Sequence, residues 1–324
     1  MKKNLVSIIA PVFNEEAVIR EFVDRIVTAF ASLRESYNFE IILVDDCSND
    51  RSLEIMKNMA LKEKRLRVLE LRRNYGQTAA LQAGLDAAQG KILITIDSDL
   101  QHFPEEIPQF LEKLEEGYDV VCGWRNQRAE GILRRWPSKV ANYIIRYISG
   151  LHIHDFGTTY RAYRIELVKD LRLLGEFHRY IPALVKDIGG RIAEIPIKNI
   201  DRQTGKSNYG ITRTFGVLLD LILLYFLVRY LDRPMRAFGK FGIFFLSGGM
   251  FILTVLVVYA YTYNVHAVQE HSGWFLLSIM LIIASVQIIL SGIIAEILVR
   301  VHFSQGKRRI YHVRREWNFK KMEP

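Results

Sequence analysis

The sequence predicts an α/β domain with a mainly parallel sheet, followed by a membrane-anchored C-terminal part. Three observations support this prediction. Strand-like and helix-like segments alternate regularly through residues 1 to about 125. Pairs of carboxylates follow two of the strand-like segments, and strand ends are where α/β sheets bind their ligands. Two long segments in the C-terminal third carry almost no acidic or basic side chains.

The alternation can be followed element by element. Strands are expected at the short apolar, β-branched runs at residues 6–12, 40–44, 67–71 and 91–96. Helices are expected between them, at residues 15–33, 50–62 and 77–88, with Gly90 capping the third helix. Such a series forms a mainly parallel sheet covered by helices, which binds nucleotides at the carboxyl ends of its strands.

The most informative motif is the strand-like run that ends in Asp97-Ser98-Asp99. Two carboxylates two residues apart can turn toward one ligand once the chain leaves the strand, and Mg²⁺ or Mn²⁺ on a diphosphate prefers hard oxygen ligands. Alternatively, Asp99 caps the helix expected to begin near Pro104. The motif by itself leaves both interpretations open.

Other nucleotide- and metal-binding motifs are incomplete. No G-x-G-x-x-G follows the first strand, and the Gly205–Ser207 segment lacks the earlier glycine of a P-loop because Ile200 occupies that position. His152 and His154 alternate without further ligands, which favours a structural or solvated role over a metal site. Two cysteines are too few to suggest a disulfide framework. The sheet therefore resembles neither a dinucleotide dehydrogenase nor a P-loop NTPase.

Two segments are long and apolar enough to span a bilayer. Between Lys240 and Glu270 the only acidic or basic side chain is His266, and residues 272–295 have none. We therefore predict transmembrane helices at residues 239–263 and 273–298. The apolar stretch at residues 215–228 is short and interrupted by an aspartate, which favours an interfacial helix within residues 211–235.

Lysine and arginine predict the orientation of these spans. They are frequent before the first span and in the basic tail at residues 300–324, whereas the loop at residues 264–272 has neither. The positive-inside rule then makes both termini cytoplasmic. Basic residues beside anionic headgroups partly explain the net charge of +9, and no zinc-finger or RNA-binding signature accompanies it, so nucleic acid is not an expected partner.

Six motifs occur in the order found in family 2 glycosyltransferases with the GT-A fold. They are Pro11–Glu16, Val44–Asp50, Asn74–Gln77, Asp97–Pro104, Asp155–Arg164 and Asp201–Tyr209. Within that family the chain resembles the dolichyl-phosphate mannose synthase-like branch, and it is most similar to bacterial undecaprenyl-phosphate glucosyltransferases. The resemblance implies a cytoplasmic GT-A catalytic domain, Rossmann-like, at residues 1–210, and a location in the bacterial inner membrane.

The resemblance also implies roles for the donor-side residues. The base and ribose of a nucleotide sugar would be held by one set of residues, namely Pro11, Asn14, Glu16, Asp45 and Asp46. Asp97 would lie near the ribose and the metal, and Asp99 and Gln101 would coordinate Mg²⁺ or Mn²⁺ on the diphosphate. Ordinary turn chemistry is the alternative for Asp45 and Asp46.

On the acceptor side, the resemblance implies a polyprenyl phosphate held by cations. A phosphate monoester has its second pKa at about 6 and is already a nucleophile at pH 7, so no catalytic base is needed. The matching positions are Arg125, Arg134, Arg202 and Ser138. For Arg135 a solvated or headgroup-facing position is favoured. Asp155 either orients an arginine or the acceptor, or supports the structure.

The expected reaction is inverting, metal-dependent transfer of a hexose to polyprenyl phosphate, with glucose from UDP-glucose as the expected donor. GDP-mannose, UDP-N-acetylglucosamine and amino-arabinose donors are handled by similar motifs. A processive polysaccharide synthase is disfavoured because Ile132 stands where its Gln-x-x-Arg-Trp motif requires glutamine. The third alternative is a non-catalytic nucleotide-sugar sensor. The apolar segments also offer a surface for homo-oligomer formation.

One departure from the family pattern concerns a turn. Cys47 stands where many relatives have glycine, so the turn after the second strand either does not require a positive φ or tolerates a strained one. Lys206 and Asn208 likewise replace the commoner residues of their loop. These changes leave the carboxylates intact.

Overall fold

The computed structural model describes residues 3–125, 146, 150–151, 153–169, 171, 173, 177–200, 234–264, 266–304 and 311–318. The chain divides into two compact units. The first comprises Met1–Leu221 together with Arg309–Pro324, and the second comprises Ile222–Arg308. The first unit contains the sheet and the second contains two long apolar helices.

Strands and helices alternate in the first unit, as the sequence predicts. The strands are β1 (Asn4–Val12), β2 (Tyr37–Asp45), β3 (Leu66–Leu71), β4 (Ile92–Thr95), β5 (Val120–Arg125), β6 (Arg161–Arg164), β7 (Ile192–Ile197) and β8 (Val313–Trp317). The helices are α1 (Ile19–Ala29), α2 (Ser52–Ala60), α3 (Gln77–Ala87), α4 (Ile107–Glu115), α5 (Ile165–Val168) and α6 (Ile181–Asp187). Short 3₁₀ turns occur at Pro104–Glu106 and Phe177–Tyr180.

The strands form one mixed sheet in the order β7-β5-β6-β4-β1-β2-β3-β8. Four neighbouring pairs are parallel: β1 with β2, β1 with β4, β2 with β3, and β5 with β7. β6 runs antiparallel between β4 and β5, and β8 runs antiparallel along β3. The mainly parallel sheet is confirmed, whereas β8, which comes from the basic tail, has no counterpart in the sequence prediction.

The central strands are nearly continuous apolar runs because helices cover both faces of the sheet. Ile8 lies in the core formed with α1, α2 and α4. The next residue, Ile9, points to the opposite face, where α3 packs unusually close. A Cβ added at Gly84 of α3 would lie 2.3 Å from Cγ2 of Ile9, so this contact requires glycine. The helices therefore fix the ends of the strands in place.

Two details of the predicted helices are wrong for identifiable reasons. The first helix begins at Ile19 rather than at Glu15, because Ser52 Oγ accepts the N–H of Glu15 and residues 15–18 form a turn. Gly90 does not cap the third helix, which ends at Ala87 and is followed by the extended Ala88 as its C-cap. Gly90 instead lies against β1, where an added Cβ would be 2.7 Å from the Leu5 carbonyl oxygen.

The second unit contains α7 (Met235–Tyr263), α8 (Ala267–Glu270) and α9 (Ser272–Ser304). α7 and α9 are long and apolar enough to cross a membrane. They pack tightly at glycines: an added Cβ would lie 2.5 Å from Ile289 at Gly242, and 2.8 Å from the Ser278 carbonyl oxygen at Gly249. Close backbone approach at small residues is typical of helix pairs in membranes.

We predict that Gly249→Leu destabilises this helix pair, whereas Gly248→Leu does not. At Gly248 the nearest contact of an added Cβ is 4.0 Å, while at Gly249 backbone stands in the way. Overpacking of this kind costs about 1–3 kcal/mol. Thermal unfolding of the detergent-solubilised protein should show a lower Tm for the Gly249 variant alone. Equal Tm values for the two variants would contradict the packing described.

Candidate active site

The candidate site lies at the carboxyl edge of the central strands. β1 pairs in parallel with β2 on one side, with Val12 opposite Asp45, and with β4 on the other, with Ile9 opposite Thr95. The segments that follow these three strands therefore meet at one edge of the sheet. They carry Asn14 and Glu16, Asp45 and Asp46, and Asp97 and Asp99. The donor-side residues of the sequence prediction are thus brought together.

The loops after β1 and β2 are locked to each other by side chain–backbone hydrogen bonds. The Asn14 side-chain oxygen accepts the N–H of Asn49 at 2.8 Å, and the Asn14 N–H donates to Ser48 Oγ at 3.0 Å. Glu16 Oε2 accepts the N–H of Arg51 at 3.0 Å. Asn14 itself has a φ of 57°, a left-handed conformation that asparagine tolerates better than most residues. These hydrogen bonds therefore hold the loop after β1 against the loop after β2.

Asp45, the last residue of β2, and Asp46, which follows it, are buried side chains at the same edge of the sheet. Asp45 is fully buried, and Asp46 accepts the N–H groups of Tyr75 at 2.7 Å and Gly76 at 2.8 Å. Burial raises the pKa of both carboxyl groups, and the backbone N–H bonds to Asp46 oppose that rise. Asp46 thereby fixes the loop between β3 and α3. Cys47 follows with a φ of 64°, so this turn adopts the strained, left-handed conformation, which is the second of the two possibilities that the sequence left open.

Asp97 and Asp99 follow β4 at the same edge. Asp97 Oδ1 accepts a hydrogen bond from the side-chain amide of Gln77 at 2.7 Å, and Asp99 Oδ1 accepts the N–H of Gln101 at 3.2 Å. Between them, Ser98 Oγ donates to the Pro11 carbonyl at 2.8 Å and ties the motif to β1. Asp97 is therefore held by the first residue of α3, Asp99 by its own loop, and Ser98 ties the motif to the end of β1.

The alternative role of Asp99 as a helix cap is wrong. The 3₁₀ turn at Pro104–Glu106 follows Phe103, and no side chain caps it by a hydrogen bond. α4 follows that turn directly, also without a side-chain cap. Asp99 lies several residues before both elements.

The donor set fits a hard divalent cation in part. Carboxylate oxygens at Asp97 and Asp99 are the ligands that Mg²⁺ and Mn²⁺ prefer. Across the described ranges, no group of three or more His, Cys, Asp or Glu side chains is arranged to hold a metal. A cation here would therefore complete its shell with other oxygens, such as the Gln101 amide and diphosphate oxygens. This is how Mg²⁺ commonly binds beside substrate phosphates.

Arg125, the last residue of β5, is held by Asp155. Its Nε lies 2.6 Å from Asp155 Oδ2 and its Nη2 lies 3.0 Å from Oδ1, so the pair is bidentate. Asp155 is 1% exposed in its side chain, and its Oδ1 also accepts the N–H of Gly157. Of the roles open for Asp155, the structure supports orientation of an arginine. A fork of this kind fixes the plane of the guanidinium group.

Asp155 is in turn held by Glu194 of β7. Glu194 Oε1 accepts the N–H of His154 at 2.7 Å and that of Asp155 at 3.0 Å, while Oε2 lies 2.8 Å from Nδ1 of His154. The His154 ring stacks on Trp124 with centroids 4.3 Å apart. The histidine therefore has a structural partner, in agreement with the structural role that the sequence favours.

His102 is a buried histidine whose ring contacts that of Tyr160, with ring centroids 5.8 Å apart. Its side chain is buried, and its pKa falls to about 4, first because of burial and second because of the positive charge of Arg125. The carboxylates of Asp99 and Asp155 act in the opposite direction. His102 is therefore a neutral imidazole at pH 7. The charges of Arg125, Asp99 and Asp155 therefore all influence this imidazole.

Not all predicted site residues can be located. Arg134, Ser138 and Arg202 lie outside the described residues, as does the segment at residues 211–233. Conversely, the hydrogen bond of Gln77 to the Asp97 carboxylate and that of Glu194 to the Asp155 backbone N–H were not predicted. Gln77 belongs to the Asn74–Gln77 motif, so the sequence did contain a signal for it. Nothing in the sequence distinguishes Glu194 from other strand residues.

An α/β sheet with loops and carboxylates at its carboxyl edge is the arrangement of a nucleotide-binding enzyme. A family model for Glycosyl transferase family 2 matches residues 7–172. Relatives that are more than 30% identical cover nearly the whole chain. The chain therefore belongs to glycosyltransferase family 2.

Two relatives illustrate the match. Dodecaprenyl-phosphate galacturonate synthase of Rhizobium johnstonii is 38% identical over 316 residues, which cover 95% of this chain and 91% of that protein. Undecaprenyl-phosphate 4-deoxy-4-formamido-L-arabinose transferase of Shewanella sediminis is 34% identical over 313 residues, or 96% and 92%. The similarity thus extends past the catalytic domain into the apolar helices.

Solved structures share the GT-A fold at low identity. Glucosyl-3-phosphoglycerate synthase of Mycobacterium tuberculosis aligns with a TM-score of 0.52 and 22% identity over 69% of this chain and 80% of that one. Mannosyl-3-phosphoglycerate synthase of Rubrobacter xylanophilus gives 0.54 and 18% over 69% and 74%. The former enzyme has been crystallised with Mn²⁺ and UDP. These matches support the fold.

We predict that Glu194→Ala loosens the Asp155 loop, whereas Glu194→Gln largely preserves it. Alanine removes the acceptor of two N–H groups, the part-buried one of Asp155 and the exposed one of His154, and a buried donor left unsatisfied costs about 1–3 kcal/mol. Glutamine keeps one carbonyl oxygen for them. Hydrogen exchange at the amides of His154 and Asp155 should accelerate at least tenfold in the alanine variant, since about 1.4 kcal/mol corresponds to tenfold. Unchanged exchange in both variants would contradict this support.

Proposed function

We propose that this enzyme transfers one sugar residue from a nucleotide sugar to a polyprenyl phosphate. The observation that carries the proposal is the meeting of the Asp97 and Asp99 segment with the loops after β1 and β2 at one edge of the sheet, together with an arginine, Arg125, whose orientation is fixed by Asp155. The carboxylates suit a diphosphate with its cation and the arginine suits an anionic acceptor. The names of both relatives, which include a polyprenyl phosphate, support the same acceptor class.

For the donor, we propose that the loops after β1 and β2 hold the base and ribose through Pro11, Asn14, Glu16, Asp45 and Asp46. Carboxylates and amides can accept hydrogen bonds from a uracil N–H and from ribose hydroxyls. Asp97, Asp99 and Gln101 would hold Mg²⁺ or Mn²⁺. When bound, the cation would neutralise charge on the departing nucleoside diphosphate.

For the acceptor, we propose that Arg125 orients the lipid phosphate together with Arg134, Ser138 and Arg202. The phosphate oxygen attacks the anomeric carbon, the bond from that carbon to the diphosphate breaks, and the diphosphate leaves with the electron pair. A phosphate with its second pKa at about 6 has no proton to lose at pH 7, so no base is required. A single in-line displacement inverts the anomeric centre and gives a β-linked product from an α-linked donor.

The sugar is proposed from the relatives. Glucose from UDP-glucose is the expectation from the motifs, whereas the two relatives are named for galacturonate and for 4-deoxy-4-formamido-L-arabinose. The galacturonate enzyme has the higher identity of the two, at 38%. We therefore propose UDP-galacturonate as the first donor to test and UDP-glucose as the second.

The membrane arrangement follows from connectivity. Residues 4–197 and residues 313–317 belong to one sheet, and the two candidate spans lie between them in the chain. The chain must therefore cross a bilayer an even number of times between those strands. This supports two spans at residues 239–263 and 273–298, with residues 211–235 at the interface. The excess of lysine and arginine beside the domain supports a cytoplasmic orientation at the inner membrane.

The transfer reaction can be tested directly. Purified protein with Mg²⁺ or Mn²⁺, undecaprenyl phosphate and one radiolabelled UDP-sugar at a time should move label into an organic-extractable lipid. Label in an insoluble polymer would instead support a processive synthase. Donor binding without product under any of these conditions would favour a sensor.

We further predict that Asp99→Asn abolishes most of this transfer while the fold is retained. The substitution removes a charged oxygen ligand, so cation-dependent UDP binding should weaken by about 10- to 100-fold, the range seen when metal-site support is lost. Calorimetric titration of UDP with and without Mn²⁺ measures this separately from turnover. Asp24→Asn, at an exposed position of α1, is the matched control and should bind UDP normally. Equal Mn²⁺ dependence in both variants would exclude Asp99 as a metal ligand.

A further inference from the structure

The C-terminal strand β8 covers the β3 edge of the catalytic sheet. It pairs antiparallel with β3. In the chain, however, β8 follows β7 and both candidate spans. Trp317 lies under the ammonium group of Lys57 at 4.3 Å. β8 therefore covers the edge of β3 with a segment that follows the membrane helices in the chain.

A β-bulge aims one side chain of β8 at the end of β3. The register passes from Arg315 opposite Glu70 to Val313 opposite Leu71, so Arg314 is the extra residue. Bulges commonly redirect a side chain in this way. Arg314 Nη1 lies 3.1 Å from Glu70 Oε1, and Nη2 donates to the Arg72 carbonyl at 3.3 Å.

The backbone of Arg72 is thus held from both sides by the C-terminal segment. Its N–H donates to the His312 carbonyl at 3.0 Å, and its carbonyl accepts from Arg314. Only two residues separate Arg72 from Tyr75, and the N–H groups of Tyr75 and of the next residue, Gly76, bind Asp46 at the candidate active site. The position of this loop is therefore constrained at both ends.

A second connection runs through Glu70. This buried carboxylate lies directly opposite Asp45 in the parallel register of β2 and β3, and its negative charge disfavours ionised Asp45. Arg314 at 3.1 Å and Lys57 at 3.9 Å supply the compensating positive charge. Loss of Arg314 removes the nearer of these two cations and leaves Lys57 at 3.9 Å, so the negative charge of Glu70 beside Asp45 is less well compensated.

The opposite end of β8 is held by different contacts. The Asn318 side-chain amide donates to the carbonyls of Ala60 at 2.5 Å and Leu66 at 2.7 Å, and more weakly to that of Glu63 at 3.3 Å. Leu66 is the first residue of β3, at the edge of the sheet away from the site. Asn318 therefore anchors the strand without touching the β3–α3 loop.

We propose that Arg314 is a positioning residue for the nucleotide donor. It acts through the Arg72 backbone and through Glu70, which set the β3–α3 loop and the Asp45–Asp46 edge. The segment that returns from the membrane helices thereby completes the donor side of the site. This inference rests on the proposed function for the identity of the donor, but not for the contacts themselves.

Substitutions at Arg314 in β8 and at Asn318 directly after it separate positioning from stability. Arg314→Ala should raise the donor KM and the Kd for UDP by about threefold to tenfold, the range for residues that couple to a site through packed neighbours, with kcat nearly unchanged. Asn318→Ala should lower the Tm at least as much but leave both constants unaltered. Arg314→Lys keeps the charge toward Glu70 without the two-pronged fork, so its constants should fall between wild type and alanine.

Hydrogen exchange at Tyr75 and Gly76 gives a readout that needs no turnover. Both amides should exchange faster in Arg314→Ala and at the wild-type rate in Asn318→Ala. Equal effects of the two variants on KM, Kd and exchange would overturn the inference, because they would reflect stability alone. A wild-type protein that binds UDP yet transfers no sugar would refute the proposed function, while the comparison of UDP affinity and exchange would still decide the role of Arg314.

Discussion

The parallel pairing of β1 with both β2 and β4 is the constraint on which the candidate site depends. Because the three strands run in the same direction, their carboxyl ends come out at one edge, and Asn14, Asp46 and Asp97 follow them there. The pairing holds because apolar residues fill both faces of these strands and because Gly84 lets α3 lie directly on Ile9. A change in register by one residue would turn these side chains to the opposite face.

Hydrogen bonds to backbone N–H groups convert that edge into a shaped site. Asp46 binds the loop before α3, Asn14 binds the loop after β2, and Glu194 binds the loop that carries Asp155. Each of these acceptor side chains lies in a strand or one to two residues after one, so the sheet fixes the loop that it binds. The charged groups that the reaction needs are therefore held in place before any substrate arrives, which lowers the cost of binding.

The sequence motifs predicted much of this site but missed the contacts between residues that are far apart in the chain. Asp97 and Asp99 could be found because strand-end carboxylates are local features, and the order of strands and helices through α3 followed from apolar periodicity. The bounds of α1 and the role of Gly90 could not, because contacts with Ser52 and with β1 decide them. Asp155 illustrates the division well: the sequence identified the residue, and its bidentate contact with Arg125 gave it a role.

By itself the sequence determined the α/β class, the carboxylates at the strand ends and two apolar segments of membrane-spanning length. Each of these can be identified from hydrophobic periodicity, from the length of an apolar run or from a short motif. Only the tertiary structure decided that β6 is antiparallel, that Glu194 supports Asp155, and that the basic tail contributes β8 to the sheet. The physical reason is distance along the chain. Strand pairing and side chain–backbone contacts between remote residues depend on how all elements pack, and a local pattern contains no record of that packing.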